Sequence, residues 1–156
     1  MKAMILSGGR GKRLRPVTDT IPKPLIKIRG KPLIEWKIHY LKKFGIRDII
    51  ICSGYKGKKI ENYIKKKKNF GCNIEYSVET SPLGTGGAIK KAIKNITDNS
   101  FLVLNGDIIT NINLKKIMVK PNSIAAIELR TNYGTMKIKI IKFSNSTKKL
   151  MLRIHG

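Results

Sequence analysis

The sequence predicts an α/β fold, a Rossmann-like three-layer α/β/α arrangement around a mostly parallel central sheet, on three observations. Short apolar runs recur through the first two thirds of the chain, at 2–6, 48–52, 73–78 and 101–104. Amphipathic stretches separate them, which is how helices that cross back over a parallel sheet read in sequence. The first run passes straight into a glycine-rich turn, Ser7-Gly8-Gly9-Arg10-Gly11, at the kind of strand end where open parallel sheets hold ligands.

Lys2-Ala3-Met4-Ile5-Leu6 has the compact apolar character of a buried parallel strand. Ile34, Ile38 and Leu41 fall at i, i+4 and i+7, and Gly45 supplies a stop, so 32–44 is a predicted helix. Residues 48–52 form the second predicted strand. A basic helix over 58–67 buries Ile60 and Ile64, and 73–78 is the third strand. Ala88, Ile89, Ala92, Ile93 and Ile96 share one face of a predicted helix over 87–96, and 101–104 is the fourth strand. Beyond Asn113, the segments 123–129, 136–143 and 149–154 read as extended strands, and an unfinished sheet edge near 136–154 invites pairing with a second copy.

The chain has 156 residues, of which 41% are hydrophobic, enough for a single domain over 1–156 with its own core. No run approaches membrane-spanning length and no export signal is visible at the N-terminus, so the expectation is a cytoplasmic protein without a membrane partner. Cys52 and Cys72 lack the paired short spacing of a zinc site and read as small half-buried thiols; His39 and His155 read as structural. Lys and Arg number 33 against 9 Asp and Glu, a net charge of +24 that attracts polyanions. The lysines are spread through helices and turns, and no helix-turn-helix, zinc-finger or aromatic-basic pattern accompanies them. A nucleic-acid-binding reading therefore rests on charge alone, and no specific nucleic-acid partner is expected.

The chemistry gathers at the carboxyl ends of the predicted strands. Gly8, Gly9 and Gly11 let the backbone turn with its amides available to phosphate. Arg10, Lys12, Arg13, Arg15 and Lys23 offer countercharge, with Pro22 and Pro24 expected to hold Lys23 on a stiff extended segment. Glu79 follows the third strand and Asp107 the fourth, so both belong to the edge that carries the glycine turn. A carboxylate such as Glu79 suits guanine, whose pairing edge presents two adjacent donors, whereas uracil and thymine present a donor and an acceptor. The competing reading of Glu79 is a solvated surface side chain, and that of Asp107 a strand-ending turn residue.

These segments resemble the sugar-phosphate nucleotidyltransferases, in particular the mannose-1-phosphate and manno-heptose-1-phosphate guanylyltransferases. The family's GGxGTRLxP is present from Gly8 to Pro16, with Lys12 where threonine is usual, and Pro22-Lys23-Pro24 follows. Lys31-Pro32-Leu33-Ile34, Glu79 before Pro82 to Ala88, Val103 to Asp107, and Tyr133-Gly134 match in the family's order. The resemblance implies transfer of a nucleotidyl group from a nucleoside triphosphate, GTP by the argument on Glu79, to a sugar 1-phosphate, with release of pyrophosphate. It implies catalytic roles for Arg13, Lys23 and Asp107, with Asp107 also holding Mg2+. It implies nucleotide contacts from Leu6, Gly8, Gly9, Gly11, Lys12, Glu79 and Gly84, and sugar contacts from Thr85, Asn105, Tyr133 and Gly134. The family's later FxEKP segment and second metal-binding aspartate have no counterpart in 149–156. The domain is thus expected to be shortened after about residue 145, which leaves open a second class of function: a nucleotide- or nucleotide-sugar-binding or regulatory module with weakened catalysis.

Overall fold

The computed structural model describes residues 1–119, and the chain divides into two compact units, 1–110 and 111–156. In the first unit β1 (Lys2–Ser7), β4 (Asp48–Ser53), β5 (Asn73–Val78) and β6 (Phe101–Asn105) form a parallel sheet in the order β5-β4-β1-β6. Its register sets Met4 beside both Ile50 and Val103. Successive side chains of a strand point to opposite faces, so each strand contributes to two apolar layers.

One layer contains Met4, Ile50 and Cys52, packed with Ala88, Ile89 and Ala92 of α4 (Gly84–Ala92) and with Ile96. The other comprises Ala3, Ile5, Ile49 and Ile51, all essentially inaccessible. The helices α2 (Leu33–Lys43) and α3 (Gly57–Lys66) connect β1 to β4 and β4 to β5, stepping outward in one direction, whereas α4 returns the chain to the far side of β1. Right-handed crossovers then put α2 and α3 on one face and α4 on the other. The fully buried Ile34, Ile38, Leu41, Ile60 and Ile64 are the apolar stripes that cover the second layer.

The predicted α/β class and the four strands predicted before residue 110 are present, and the departures among the described residues are local. Pro32 belongs to a hairpin of β2 (Lys27–Ile28) and β3 (Lys31–Pro32), so α2 begins one residue later than its apolar spacing suggests. Arg29 and Gly30 make the turn with φ of 49° and 79°, and Trp36 Nε1 donates to the Ile28 carbonyl at 3.0 Å. The helix expected over 87–96 starts instead at Gly84 and gives way to a 3-10 turn at Ile93–Asn95. Glycine's low helix propensity hides that start. A Cβ at Gly87 would lie 2.8 Å from the Leu83 Cβ, so the first turn packs too tightly for any side chain there. Cys52 and Cys72, expected half-buried, are both buried, Cys52 within the layer beneath α4.

A short α1 (Val17–Thr20) follows the glycine turn. In the second unit α5 (Leu114–Met118) is capped by the Asn113 side chain, which accepts from the Lys115 amide at 3.0 Å. The strands expected at 123–129, 136–143 and 149–154, together with Tyr133, Gly134 and His155, lie outside the described residues. Among the described residues no helix is long and apolar enough to cross a membrane. The carboxyl ends of all four parallel strands share one edge, and the connections leave β1 in opposite directions, which opens a crevice beside it.

Candidate active site

A cleft of about 630 Å³ occupies that edge. Its wall takes Leu6 from β1, Gly8, Gly9 and Gly11 from the glycine turn, Lys12, Arg13 and Lys23 from the segment behind it, and Glu79 from the end of β5. Gly84 and Thr85 of α4 and Asn105 and Asp107 at the end of β6 complete it. Arg13, Lys23, Asp107 and every nucleotide- and sugar-contact residue expected within 1–119 border this one space, whereas Arg10 and Arg15 do not.

The glycine turn is held at both ends. The Gly8 carbonyl accepts from the Tyr55 amide at 3.2 Å, and the Gly11 carbonyl accepts from the Leu14 amide at 2.9 Å and from the Thr18 hydroxyl at 3.0 Å. The Tyr55 hydroxyl in turn donates to the Thr18 carbonyl at 3.1 Å. Gly11 has φ of 64°, in the left-handed region that side chains avoid. Lys12 and Arg13 follow in a 3-10 turn, Lys12–Leu14, on the cleft side.

Two of the cations expected at the triphosphate are elsewhere. The Arg15 guanidinium pairs with Asp19 at 3.2 Å, one helical turn on. The Arg10 guanidinium stands 5.6 Å from the Tyr55 ring centroid and borders a smaller neighbouring cavity, not the main cleft. Local pairing and the ring's negative face outcompete the cleft for these two groups.

Lys23 is not on an extended segment as expected. Pro22 is extended, but Lys23 opens a 3-10 turn, Lys23–Leu25, in which Pro24 occupies an early position whose fixed φ suits the turn. From there its Nζ reaches Asp107 Oδ2 at 2.6 Å. Gly106 makes that meeting feasible: its amide donates to the Leu6 carbonyl at 2.8 Å, and a Cβ there would fall 2.6 Å from both the Leu6 carbonyl oxygen and Ser7 Oγ. Only glycine lets β6 end this close to β1. The Ser7 hydroxyl is buried without a hydrogen-bond partner. Neither Ser7 nor Gly106 was nominated, although both sit inside the motifs that were read.

Among the described residues no group of three or more His, Cys, Asp and Glu side chains could cage a metal. Two carboxylates border the cleft, Glu79 and Asp107, and the donor set beside Lys23 is the Asp107 carboxylate, one oxygen of which Lys23 engages. That set fits a hard cation that keeps several waters and takes its other ligands from substrate phosphates.

Glu79 is half-buried in the cleft wall. Its amide donates to the Ser53 carbonyl at 2.7 Å, and its Oε2 accepts from the Leu83 amide at 3.1 Å. A Cβ on Gly8 would lie 2.7 Å from Oε1, so the carboxylate and the glycine turn are in direct apposition. Burial pushes the nearby Cys52 thiol up to about 11, and the Glu79 charge adds to the shift. Lys37 of α2 is also buried; burial pulls its pKa down while the Asp107 charge opposes. The sequence signalled that burial, since Lys37 lies three residues from Ile34 on the inward stripe, but lysine there reads as solvated. His39 sits 3.7 Å from Glu35 and edge-on to Phe70, in agreement with a structural role.

The chain is 43% identical over 126 residues to D-glycero-alpha-D-manno-heptose 1-phosphate guanylyltransferase of Aneurinibacillus thermoaerophilus, covering 81% of this chain and 54% of that protein. It is 46% identical over 113 residues to N-acetylmuramate alpha-1-phosphate uridylyltransferase of Neisseria meningitidis, covering 72% of this chain and 49% of that protein. The crystal structure of HddC from Yersinia pseudotuberculosis complexed with GMP-PN matches with a TM-score of 0.69 and 39% identity, over 76% of this chain and 52% of that one. The chain thus spans about half the length of these relatives. The Nucleotidyl transferase family model matches residues 2–142, nearly the whole sequence, and the chain belongs to that family.

Proposed function

We propose that this chain is a single nucleotidyltransferase domain that transfers a nucleotidyl group from GTP to a sugar 1-phosphate in the cytoplasm, giving a nucleotide-diphospho-sugar and pyrophosphate. The observation that carries the reading is the apposition, in one cleft, of a glycine turn with its cations, a base-side carboxylate at Glu79, and the Lys23–Asp107 pair. Overall likeness does not choose the base, because guanylyl and uridylyl enzymes stand at similar identity. The support for guanine is Glu79, a suitable acceptor for its N1–H and 2-amino donors.

The attacking oxygen of a sugar phosphate is ionised at neutral pH, so no general base is needed. That oxygen forms a bond to the α-phosphorus as the bond to the β-phosphate oxygen breaks, and the electron pair leaves on pyrophosphate. The burden on the protein is positioning and charge stabilisation. The amides of Gly8, Gly9 and Gly11 with Lys12 and Arg13 hold the triphosphate, and Arg13 offsets charge developing at the α-phosphate. Lys23 neutralises phosphate near the attacking group, while Leu6 and Gly84 flank the base and Thr85 and Asn105 face the sugar. Mg2+ bound by Asp107 and phosphate oxygens would supply Lewis-acid stabilisation.

The test is pyrophosphate release from GTP, Mg2+ and mannose 1-phosphate or a manno-heptose 1-phosphate, beside a binding titration with GTP, UTP, dTTP and ATP. GTP-selective binding with pyrophosphate release supports the reading. GTP binding without release points to the weakened binding module, and equal binding of all four nucleotides removes the base assignment.

A further inference from the structure

We propose that Arg10 is a specificity-determining residue that donates to the O6 of a guanine whose N1–H and 2-amino group are held by Glu79. The inference rests on the guanine reading above and adds to it the half of the base edge that Glu79 cannot serve. Guanine's pairing edge carries two donors and one acceptor; a lone carboxylate satisfies the donors and repels O6. A site that binds guanine through Glu79 therefore needs a donor next to that carboxylate.

Arg10 is where such a donor is required. Beyond the main cleft lies a second cavity of about 170 Å³, bordered by Arg10, Tyr55, Thr80 and Ser81, and it shares Gly8 and Glu79 with the cleft wall. The two spaces thus adjoin at Gly8, Glu79 and Pro82. Arg10 is the cation bordering the second. No ion pair among the described residues joins Arg10 to Glu79, although both face this cavity. O6 adjoins N1–H on the pairing edge, so its donor belongs beside the carboxylate that holds N1–H.

The guanidinium is also preset. It lies over the Tyr55 ring at 5.6 Å, and that ring is fixed by the hydrogen bonds of its hydroxyl to Thr18 and of its amide to Gly8. A planar donor fork held on an aromatic face loses little freedom on accepting a ligand.

Isothermal titration of wild type and Arg10→Met with GTP, 6-thio-GTP and UTP tests the inference. Sulfur at C6 is a weak acceptor, while N1–H and the 2-amino group are retained. Wild type is expected to bind GTP about tenfold more tightly than 6-thio-GTP, and Arg10→Met to bring that ratio close to one. The readout is a ratio between two ligands on one variant, so a loss of folded protein cancels from it. A variant that keeps the wild-type ratio, or that loses the three nucleotides equally, overturns the role of Arg10 while leaving the guanine reading in place. Wild type that binds UTP at least as well as GTP overturns both.

Discussion

The Lys23 ammonium and the Asp107 carboxylate meet at 2.6 Å across 84 residues of chain, with side-chain exposures of 31% and 43%. The cation expected on phosphate thus covers the anion expected on metal. In ligand-free protein each is the other's substitute partner, and a metal with its triphosphate would separate them. Lys23→Met keeps the apolar stem and removes the charge. Nucleotide-free Mn2+ binding, followed by electron paramagnetic resonance, is expected to tighten about fivefold, the scale of a half-exposed ion pair, while GTP binding weakens. Identical Mn2+ affinities in variant and wild type would show that the pair does not compete with the metal.

Gly8 sets the position of the Glu79 carboxylate. A Cβ there would lie 2.7 Å from Oε1, the free end of a flexible side chain, and the Gly8 backbone is not in the left-handed region. Gly8→Ala should therefore fold normally, within about 0.5 kcal/mol of wild type, and displace the carboxylate. Selectivity for GTP over UTP is expected to fall several-fold in a competition titration. Undiminished selectivity would mean that the base is read by other groups.

Gly106 presents the opposite case, because the atoms that a Cβ would meet at 2.6 Å include the Leu6 carbonyl, which is backbone. Gly106→Ala must push the ends of β1 and β6 apart. A destabilisation of about 1–3 kcal/mol is expected by chemical denaturation, the range for overpacking a tight site. GTP-dependent Mn2+ binding should fall with it, since Asp107 is the next residue. A variant as stable as wild type would contradict the close approach of the two strands.

The elements set by local periodicity were legible in the sequence, as the Ile34, Ile38 and Leu41 spacing and the four apolar strands show. Glu79 and Asp107 were placed on one edge from topology alone, because strand ends in a parallel sheet share an edge whatever their side chains do. What depended on distant partners was not legible. Arg10 lies within the glycine turn and Arg15 close behind it, near Arg13 in sequence, yet Tyr55 and Asp19 draw them aside. The β2–β3 hairpin rests on left-handed Arg29, a residue that does not announce a turn. The early start of α4 at Gly84 was masked by the residue type that the tight Leu83–Gly87 packing requires.

Cys52 provides a check on the core beneath the cleft. Burial and the Glu79 charge push its thiol from the ordinary 9.0 up to about 11, so the native state holds its proton where the unfolded chain has released it. Between about pH 9 and 11 the native protein binds more protons than the unfolded chain, and stability falls as pH rises through that window; below it the contribution is present in full. At pH 8 the thiolate is scarce and buried, and iodoacetamide should leave Cys52 unmodified in native protein but alkylate it fully in denaturant, as peptide mass mapping would read. Over the same alkaline window, wild type should lose stability more steeply than Cys52→Ala, since lysine and tyrosine titrations are common to both and cancel in the difference. Rapid labelling of native Cys52 at pH 8, or parallel pH profiles for the two proteins, would place that thiol outside the layer formed by Met4, Ile50 and α4.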